Sequence, residues 1–240
     1  MPRIARVVAP GIPHHITQRG NYRQNIFLDD TDRVRYLTWL REDSEKYGLK
    51  IIAYCLMHNH VHYIAIPERE DSLAKTFNAV NMKYSQYLNK KMKNTGHLWQ
   101  GRYYSCILDA VHLLTAARYV ERNPARANIV KKPWHWEWSS ARANAFREES
   151  KFLKLSSLFD YVNMSPESWR EFIDNKEDET EVKSIRKHTR SGRPFAVDAF
   201  VGELEGILGR SLRVGPRGRP RKNKANGVMY MPQEVETAGV

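Results

Sequence analysis

The pattern of apolar and polar positions divides the first part of the chain into four predicted strands and three predicted helices. Runs rich in β-branched and aromatic residues predict strands at 13–19, 50–57, 61–66 and 96–108. Apolar residues at helical spacing predict helices over about 30–47, 71–93 and 110–123. Asp, Thr or Ser side chains that can cap backbone N–H groups stand where these helices begin, at Asp30 or Thr31, at Asp71 or Ser72, and at Asp109.

The order of these elements is strand, helix, strand, strand, helix, strand and helix. The first six match the split βαβ arrangement of a ferredoxin-like sandwich. This is an α+β fold in which helices cover one face of an antiparallel sheet. In that topology the first and third strands form the central pair, so residues of the third strand are expected near the middle of the sheet.

Beyond residue 150 the pattern changes, and we predict three regions: 1–150, 151–182 and 183–240. The first is the sandwich, the second an acidic helical or linker segment, and the third a basic C-terminal tail. Residues 163–181 are acidic and poor in apolar side chains, which is typical of a surface linker. The tail is predicted to hold one short helix over 197–208 and to be disordered beyond Asn223.

Charge and composition narrow the class of partner. Lys and Arg number 39 against 27 Asp and Glu, which gives a net charge of +12 and favours a polyanion such as nucleic acid. The two cysteines, Cys55 and Cys106, have no metal-site or disulfide spacing, so a reducing cytosol is expected. Because no run of about 18 apolar residues occurs, we predict no membrane-spanning helix and no membrane partner.

Two short motifs carry candidate chemistry. His60 and His62 are separated by one residue on a predicted strand, so their side chains point to the same side. Tyr119 and Asn123 are four residues apart on a predicted helix and also share a side. Two imidazoles and an amide oxygen would suit Mg²⁺ or Mn²⁺, and a phenol beside such an ion is a candidate nucleophile for a phosphodiester. Either motif alone would also fit ordinary packing.

Four stretches of the chain together resemble the HUH single-tyrosine transposases of small bacterial insertion sequences. The resemblance is closest to their REP-associated relatives, which act on repeated extragenic palindromes. The stretches are 13–27, 57–63, 98–103 and 117–127, within a region of about 3–145. The resemblance implies that residues 1–150 form an HUH transposase catalytic domain. It also implies that His60, His62 and Asn123 bind the metal and that Tyr119 is the nucleophile.

One departure from the family concerns His58, where relatives often carry proline. His58, His60 and His62 would face one way if the strand began early enough, so His58 and His60 form a competing ligand pair. We favour His60 and His62 because the apolar Val61 between them suits a buried opposite face.

The implied function is a metal-dependent endonuclease and strand transferase that acts on single-stranded DNA through a 5′-phosphotyrosine. Its expected cofactor is Mg²⁺ or Mn²⁺, and its expected partner is single-stranded DNA with a hairpin of the REP type. We expect a monomer or homodimer that is cytoplasmic and nucleoid-associated. The alternatives are a catalytically silent nucleic-acid-binding regulator on the same fold and an HUH replication initiator or relaxase. A metal hydrolase unrelated to DNA is disfavoured by the basic charge.

Candidate DNA contacts are basic or amide side chains in four parts of the chain. They lie around the first strand, on the second helix, around the last strand and third helix, and in a Gly-Arg-Pro sequence of the tail. That tail sequence resembles an AT-hook, a flat basic strip that fits a narrow minor groove. The candidates are Arg3, Arg6, Arg19, Asn21, Arg23, Lys83, Arg102, Arg118, Arg122, Arg126, Arg219 and Arg221.

Overall fold

The computed structural model describes residues 6–213. The strands are β1 (His14–Arg19), β2 (Leu49–Leu56), β3 (His60–Pro67) and β4 (Tyr104–Ile107). The helices of the first half are α1 (Asp30–Tyr47), α2 (Ser72–Met92) and α3 (Ala110–Glu121). The later helices are α4 (Asn123–Arg126), α5 (Ala141–Phe146), α6 (Pro166–Asp174), α7 (Glu179–Ser191) and α8 (Asp198–Leu208). Arg3, Arg219, Arg221 and the AT-hook-like sequence lie outside the described residues.

The four strands form one antiparallel sheet in the order β2-β3-β1-β4. This order confirms the predicted split βαβ fold, with β1 and β3 as the central pair. In their register Thr17 faces His62 and Arg19 faces His60. The start of β3 therefore lies beside the end of β1, in the middle of the sheet.

Side chains cap the starts of α1 and α3, with a shift of one residue at α1, whereas the side chain of Asp71 makes no capping hydrogen bond at the start of α2. Asp29, rather than Asp30 or Thr31, caps α1 in a reciprocal pair of hydrogen bonds with Asp32. Gly48 ends α1 in the left-handed conformation that a glycine adopts without strain. Asp109 caps α3 as predicted, because its carboxylate accepts a hydrogen bond from the backbone N–H of His112.

Helices cover both faces of the sheet. The helices of the split βαβ, α1 and α2, pack on one face as predicted, with Tyr36, Leu40, Phe77 and Tyr84 in that core. The opposite face, which the sequence analysis left without helices, carries α3 together with α5, α6 and α7. The apolar side chains in this second core include Ile52, Ile64, Leu113, Val120, Trp169 and Ile185.

The acidic region 163–181 differs from the expected surface linker. It contains α6, whose Trp169 and Ile173 are fully buried against the second core. These two side chains are four residues apart and so lie on one side of the helix, while Glu167 and Glu171 of the same helix are exposed. The predicted tail begins inside α7, and the helix expected over 197–208 matches α8. Among the described residues no helix is long and apolar enough to span a bilayer.

Candidate active site

A cleft of about 380 Å³ lies where the centre of the sheet meets α3 and α7. The four residues of the two sequence motifs, His60, His62, Tyr119 and Asn123, all line it. The arginines that line it are Arg19, Arg23, Arg186 and Arg190. A larger cleft of about 550 Å³ beside Tyr54 and Trp134 holds none of these residues.

The histidines at the start of β3 each have one ring nitrogen engaged by the protein. His60 Nδ1 lies 2.6 Å from Asn59 Oδ1, and Asn59 Nδ2 donates to the carbonyl of Arg23, which fixes the amide orientation. His60 Nδ1 is therefore the protonated nitrogen, and Nε2 keeps its lone pair. His62 Nδ1 lies 3.0 Å from His15 Nε2. The two rings are 5.0 Å apart, centroid to centroid.

Both imidazoles are held in the neutral form that binds a cation. Burial, with nearby Arg19, Arg126 and Arg186, lowers the pKa of His60 to about 3. Burial and the neighbouring imidazoles of His60 and His15 hold the pKa of His62 well below its ordinary value.

Asn123 stands at the junction of α3 and α4, where Pro124 follows it. The residue is buried, and its side-chain Nδ2 has no hydrogen-bond partner in the protein. An unpartnered amide in this cleft is available to a ligand from outside the protein. A rotation of the side-chain amide group exchanges the positions of its nitrogen and its oxygen. Within residues 6–213 no group of three His, Cys, Asp or Glu could hold a metal ion. The donor set that fits is therefore two imidazoles and the Asn123 oxygen.

Tyr119 is 6% exposed and lies edge-on to the rings of His62 and His15. Its ring centroid is 5.4 Å from that of His62 and 5.7 Å from that of His15. The Arg126 guanidinium covers the ring at 4.2 Å, and Arg186 Nε donates to the phenol oxygen at 3.3 Å. The nucleophile candidate thus has a cation on its ring and a second cation at its oxygen.

His58 does not join the cleft. Strand β3 begins at His60, so His58 falls in the preceding turn and does not follow the alternation of the strand. Its Nδ1 lies 3.1 Å from Arg33, and its ring lies edge-on to Trp136. The competing ligand pair of His58 and His60 is therefore not assembled.

Three of the predicted DNA contacts are engaged inside the protein. Arg118 donates to the carbonyls of Asn175 and Lys176, and Arg122 to those of Ile173 and Asp174. Arg126 pairs with the buried carboxylate of Glu177. Arg118, Arg122 and Arg126 thus hold the end of α6 and the loop after it, and their contact with DNA stays a prediction.

The other described candidates fall into four places. Arg19 and Arg23 line the cleft, and Arg6 and Arg102 line an adjoining groove beside Tyr104. Asn21 lies in the turn after β1. Lys83 bonds both carboxylate oxygens of the buried Asp43 between α1 and α2, so it lies on the opposite side of the sheet.

The sequence analysis missed His15, Arg186, Thr189 and Arg190, which also line the cleft. His15 had a signal, because it alternates with Thr17 and Arg19 on a strand that the topology pairs with β3. The α7 residues had none, since only the tertiary fold brings that helix to the site.

Comparison with known proteins gives a match over the first half of the chain. Residues 10–123 match the model of a family described as IS200-like transposase. The fold resembles a solved REP-associated tyrosine transposase bound to a REP hairpin, with a TM-score of 0.53 and 17% identity over 61% of this chain and 87% of that one. A candidate transposase of Deinococcus radiodurans R1 has a TM-score of 0.33 and 20% identity over 44% of this chain and 84% of that one. No curated protein matches the chain.

Proposed function

We propose that the chain cleaves and rejoins single-stranded DNA through a tyrosine, because residues 10–123 match the model of the IS200-like transposase family. The observation that carries this proposal is the single cleft that holds His60, His62, Asn123 and Tyr119. Metal ligands on a strand and a phenol on a helix meet there, with arginines around them.

The metal-binding part of the proposal rests on three donor atoms. Nε2 of His60, Nε2 of His62 and the amide oxygen of Asn123 would hold a divalent ion, Mg²⁺ or Mn²⁺. When bound, such an ion neutralises a non-bridging phosphate oxygen and polarises phosphorus. The hydrogen bonds at Nδ1 of both histidines orient the rings for this task.

The chemical step belongs to Tyr119. Its phenol oxygen forms a bond to phosphorus and loses its proton to solvent, while the bond from phosphorus to the 3′ oxygen breaks. The leaving 3′ oxygen takes up a proton, which yields a 5′-phosphotyrosine and a free 3′-OH. Attack by another 3′-OH reverses the step and joins a new strand. Since one phosphodiester is exchanged for another, no ATP is needed.

The proposed substrate is single-stranded DNA beside a hairpin. The solved neighbour of similar fold was bound to a REP hairpin, which supports DNA of the same class for this chain. Arg19, Arg23 and Arg190 around the cleft would contact phosphates, and each such contact steepens the salt dependence of binding.

Replacement of Tyr119 by Phe tests the proposal. Incubation with labelled single-stranded hairpin DNA and Mn²⁺ should give a covalent adduct with the natural chain and none with Tyr119→Phe, because the nucleophilic oxygen is gone. DNA binding, measured by gel shift in EDTA, should survive in the variant.

The matched control is Tyr47→Phe, at the far end of α1, which should form the adduct like the natural chain. An adduct that persists in Tyr119→Phe would remove Tyr119 from its role. Tight DNA binding by the natural chain without any metal-dependent nicking would instead favour the silent regulator.

A further inference from the structure

A chain of buried hydrogen bonds links helix α7 to the metal-site histidine on β3. Thr189 Oγ1 lies 2.7 Å from the Ile185 carbonyl oxygen and 2.7 Å from His15 Nδ1. His15 Nε2 lies 3.0 Å from His62 Nδ1. Thr189, His15 and His62 are 2%, 1% and 4% exposed, so water does not compete for these bonds. The chain spans three elements that are far apart in sequence.

The direction of these hydrogen bonds follows from the Ile185 carbonyl. A carbonyl oxygen can only accept, so the single proton of the Thr189 hydroxyl points to it. Thr189 Oγ1 must then accept from His15 Nδ1–H. A neutral imidazole carries one N–H, so His15 Nε2 accepts from His62 Nδ1–H. His62 is left with a bare Nε2.

The opposite direction would disable His62 as a ligand. If the Thr189 hydroxyl donated to His15, then His15 Nε2–H would donate to His62 Nδ1. The His62 proton would then lie on Nε2, where no cation could bind. The opposite direction would also leave a lone pair of the Thr189 hydroxyl oxygen facing a lone pair of the Ile185 carbonyl oxygen, with the two oxygens 2.7 Å apart. The arrangement of α7 therefore selects one tautomer of His62.

We propose that Thr189 and His15 are positioning residues that fix His62 as the Nδ1-protonated tautomer, so that α7 completes the metal site. The inference rests on the proposed role of His62 as a ligand. It places part of the site outside residues 10–123, the segment that matches the family model.

The same helix also reaches the nucleophile. Arg186 lies three residues before Thr189, so both side chains are on the side of α7 that faces the cleft. Arg186 donates to the phenol oxygen of Tyr119, while Thr189 acts on His62 through His15. Ile185 anchors α7 in the second core. One firmly packed helix thus positions both His62, through His15, and Tyr119.

The tautomer can be measured without metal or DNA. In ¹⁵N-histidine-labelled, metal-free protein, long-range proton–nitrogen spectra should show His62 with a protonated Nδ1 and a bare Nε2. His62→Gln identifies its signals. Thr189→Val keeps the shape but removes the hydroxyl, and it should give a mixture of His62 tautomers. Thr189→Ser keeps the hydroxyl and should restore the natural pattern.

Metal affinity gives a second readout. In a Mn²⁺ titration followed by electron paramagnetic resonance, Thr189→Val should bind roughly 10- to 100-fold more weakly, as expected when a partner of a ligating histidine is lost. Thr189→Ser should stay within about threefold of the natural chain if the hydroxyl is what matters. His15→Gln should weaken binding to a similar extent. The His15→Gln/Thr189→Val double variant should be little worse than either single one, because both act through the same chain.

Two results would overturn the inference. One is a His62 proton on Nε2 in the natural chain, and the other is a Thr189→Val variant with unchanged spectra and unchanged Mn²⁺ affinity. Predicted tautomers without any Mn²⁺ binding would overturn the metal role of His62, and with it the proposed function. That same result would still support the proposed chain of hydrogen bonds.

Discussion

At the scale of single residues, the surroundings of the Tyr119 oxygen bear most directly on reactivity. A phenol is a weak nucleophile until negative charge on its oxygen is stabilised. Arg186 supplies a positive charge at hydrogen-bond distance from that oxygen, and Arg126 covers the ring. A donor already in place costs no rearrangement when charge develops. Loss of Arg186 should thus slow the proposed chemistry without touching the proposed metal ligands.

Arg186→Gln should slow single-turnover adduct formation about 10- to 100-fold, because a charge-assisted hydrogen bond to the developing phenolate is lost. Mn²⁺ affinity should change little, since the hydrogen bonds of His60 and His62 remain. Lys187→Gln, the next and outward-facing residue of α7, is the matched control for charge. An equal loss in both variants would mean that α7 acts through its overall charge.

The sequence predicted those residues of the candidate site that lie close to each other along the chain. His60 with His62, and Tyr119 with Asn123, are close in sequence, and the strand and helix periods put each pair on one side. His15, Arg186 and Thr189 reach the cleft only through strand pairing and the packing of α7. Arg118, Arg122 and Arg126 were expected to contact DNA because sequence shows their charge but not their acceptors, which lie some fifty residues further on.

At the scale of elements, long and periodic segments were the most predictable. Strand order followed from the order of elements, and Gly48 and Asp109 act as the stop and cap that their residue types indicated. For the segment that holds α6 the sequence left helix and linker open, because its acidic surroundings outweigh a short apolar side. Composition averages over a segment, whereas burial depends on which two or three positions face the core.

Trp169→Ala should lower the free energy of unfolding by about 3–5 kcal/mol, since it leaves a large cavity in the second core. It also removes the donor to Glu121 Oε2, which lies 2.9 Å from Trp169 Nε1. Denaturant unfolding would measure the loss, with the exposed Glu171→Ala on the same helix as control. A Trp169→Ala variant as stable as that control would mean that the segment is a surface linker and does not contribute to the second core.

At the scale of the whole molecule, two helical layers enclose the sheet and bury several imidazoles. Burial lowers the pKa of His14 to about 4 and of His15 to about 3, and it acts likewise on His60 and His62. The fold thus keeps these histidines uncharged over a pH range in which an unfolded chain would protonate them. Burial of these histidines therefore makes the protein sensitive to acid.

The metal-free protein should lose stability as pH falls below about 6.5, the value at which histidines of an unfolded chain take up protons. Each histidine whose pKa is lowered in the folded state contributes to the free energy of unfolding, and this contribution is fully present above that pH. It is lost as pH falls toward the pKa of the folded state, at about 1.4 kcal/mol per pH unit. Glu121 opposes this, because burial raises its pKa to about 7. Because several histidines with lowered pKa values oppose this one carboxyl, the net effect is a loss of stability as pH falls from about 6.5 to 4.5.

Urea unfolding at a series of pH values measures this slope, and a single substitution apportions it. His14 lies away from the cleft, with Nδ1 bonded to the Ile12 carbonyl and Nε2 to the Ala9 N–H. His14→Gln should reduce the slope by about one histidine's share, whatever it does to stability at pH 7.5. A flat stability profile from pH 7.5 to 5 would mean that the buried imidazoles accept protons without unfolding, and the neutral metal-binding state inferred for His60 and His62 would lose its support.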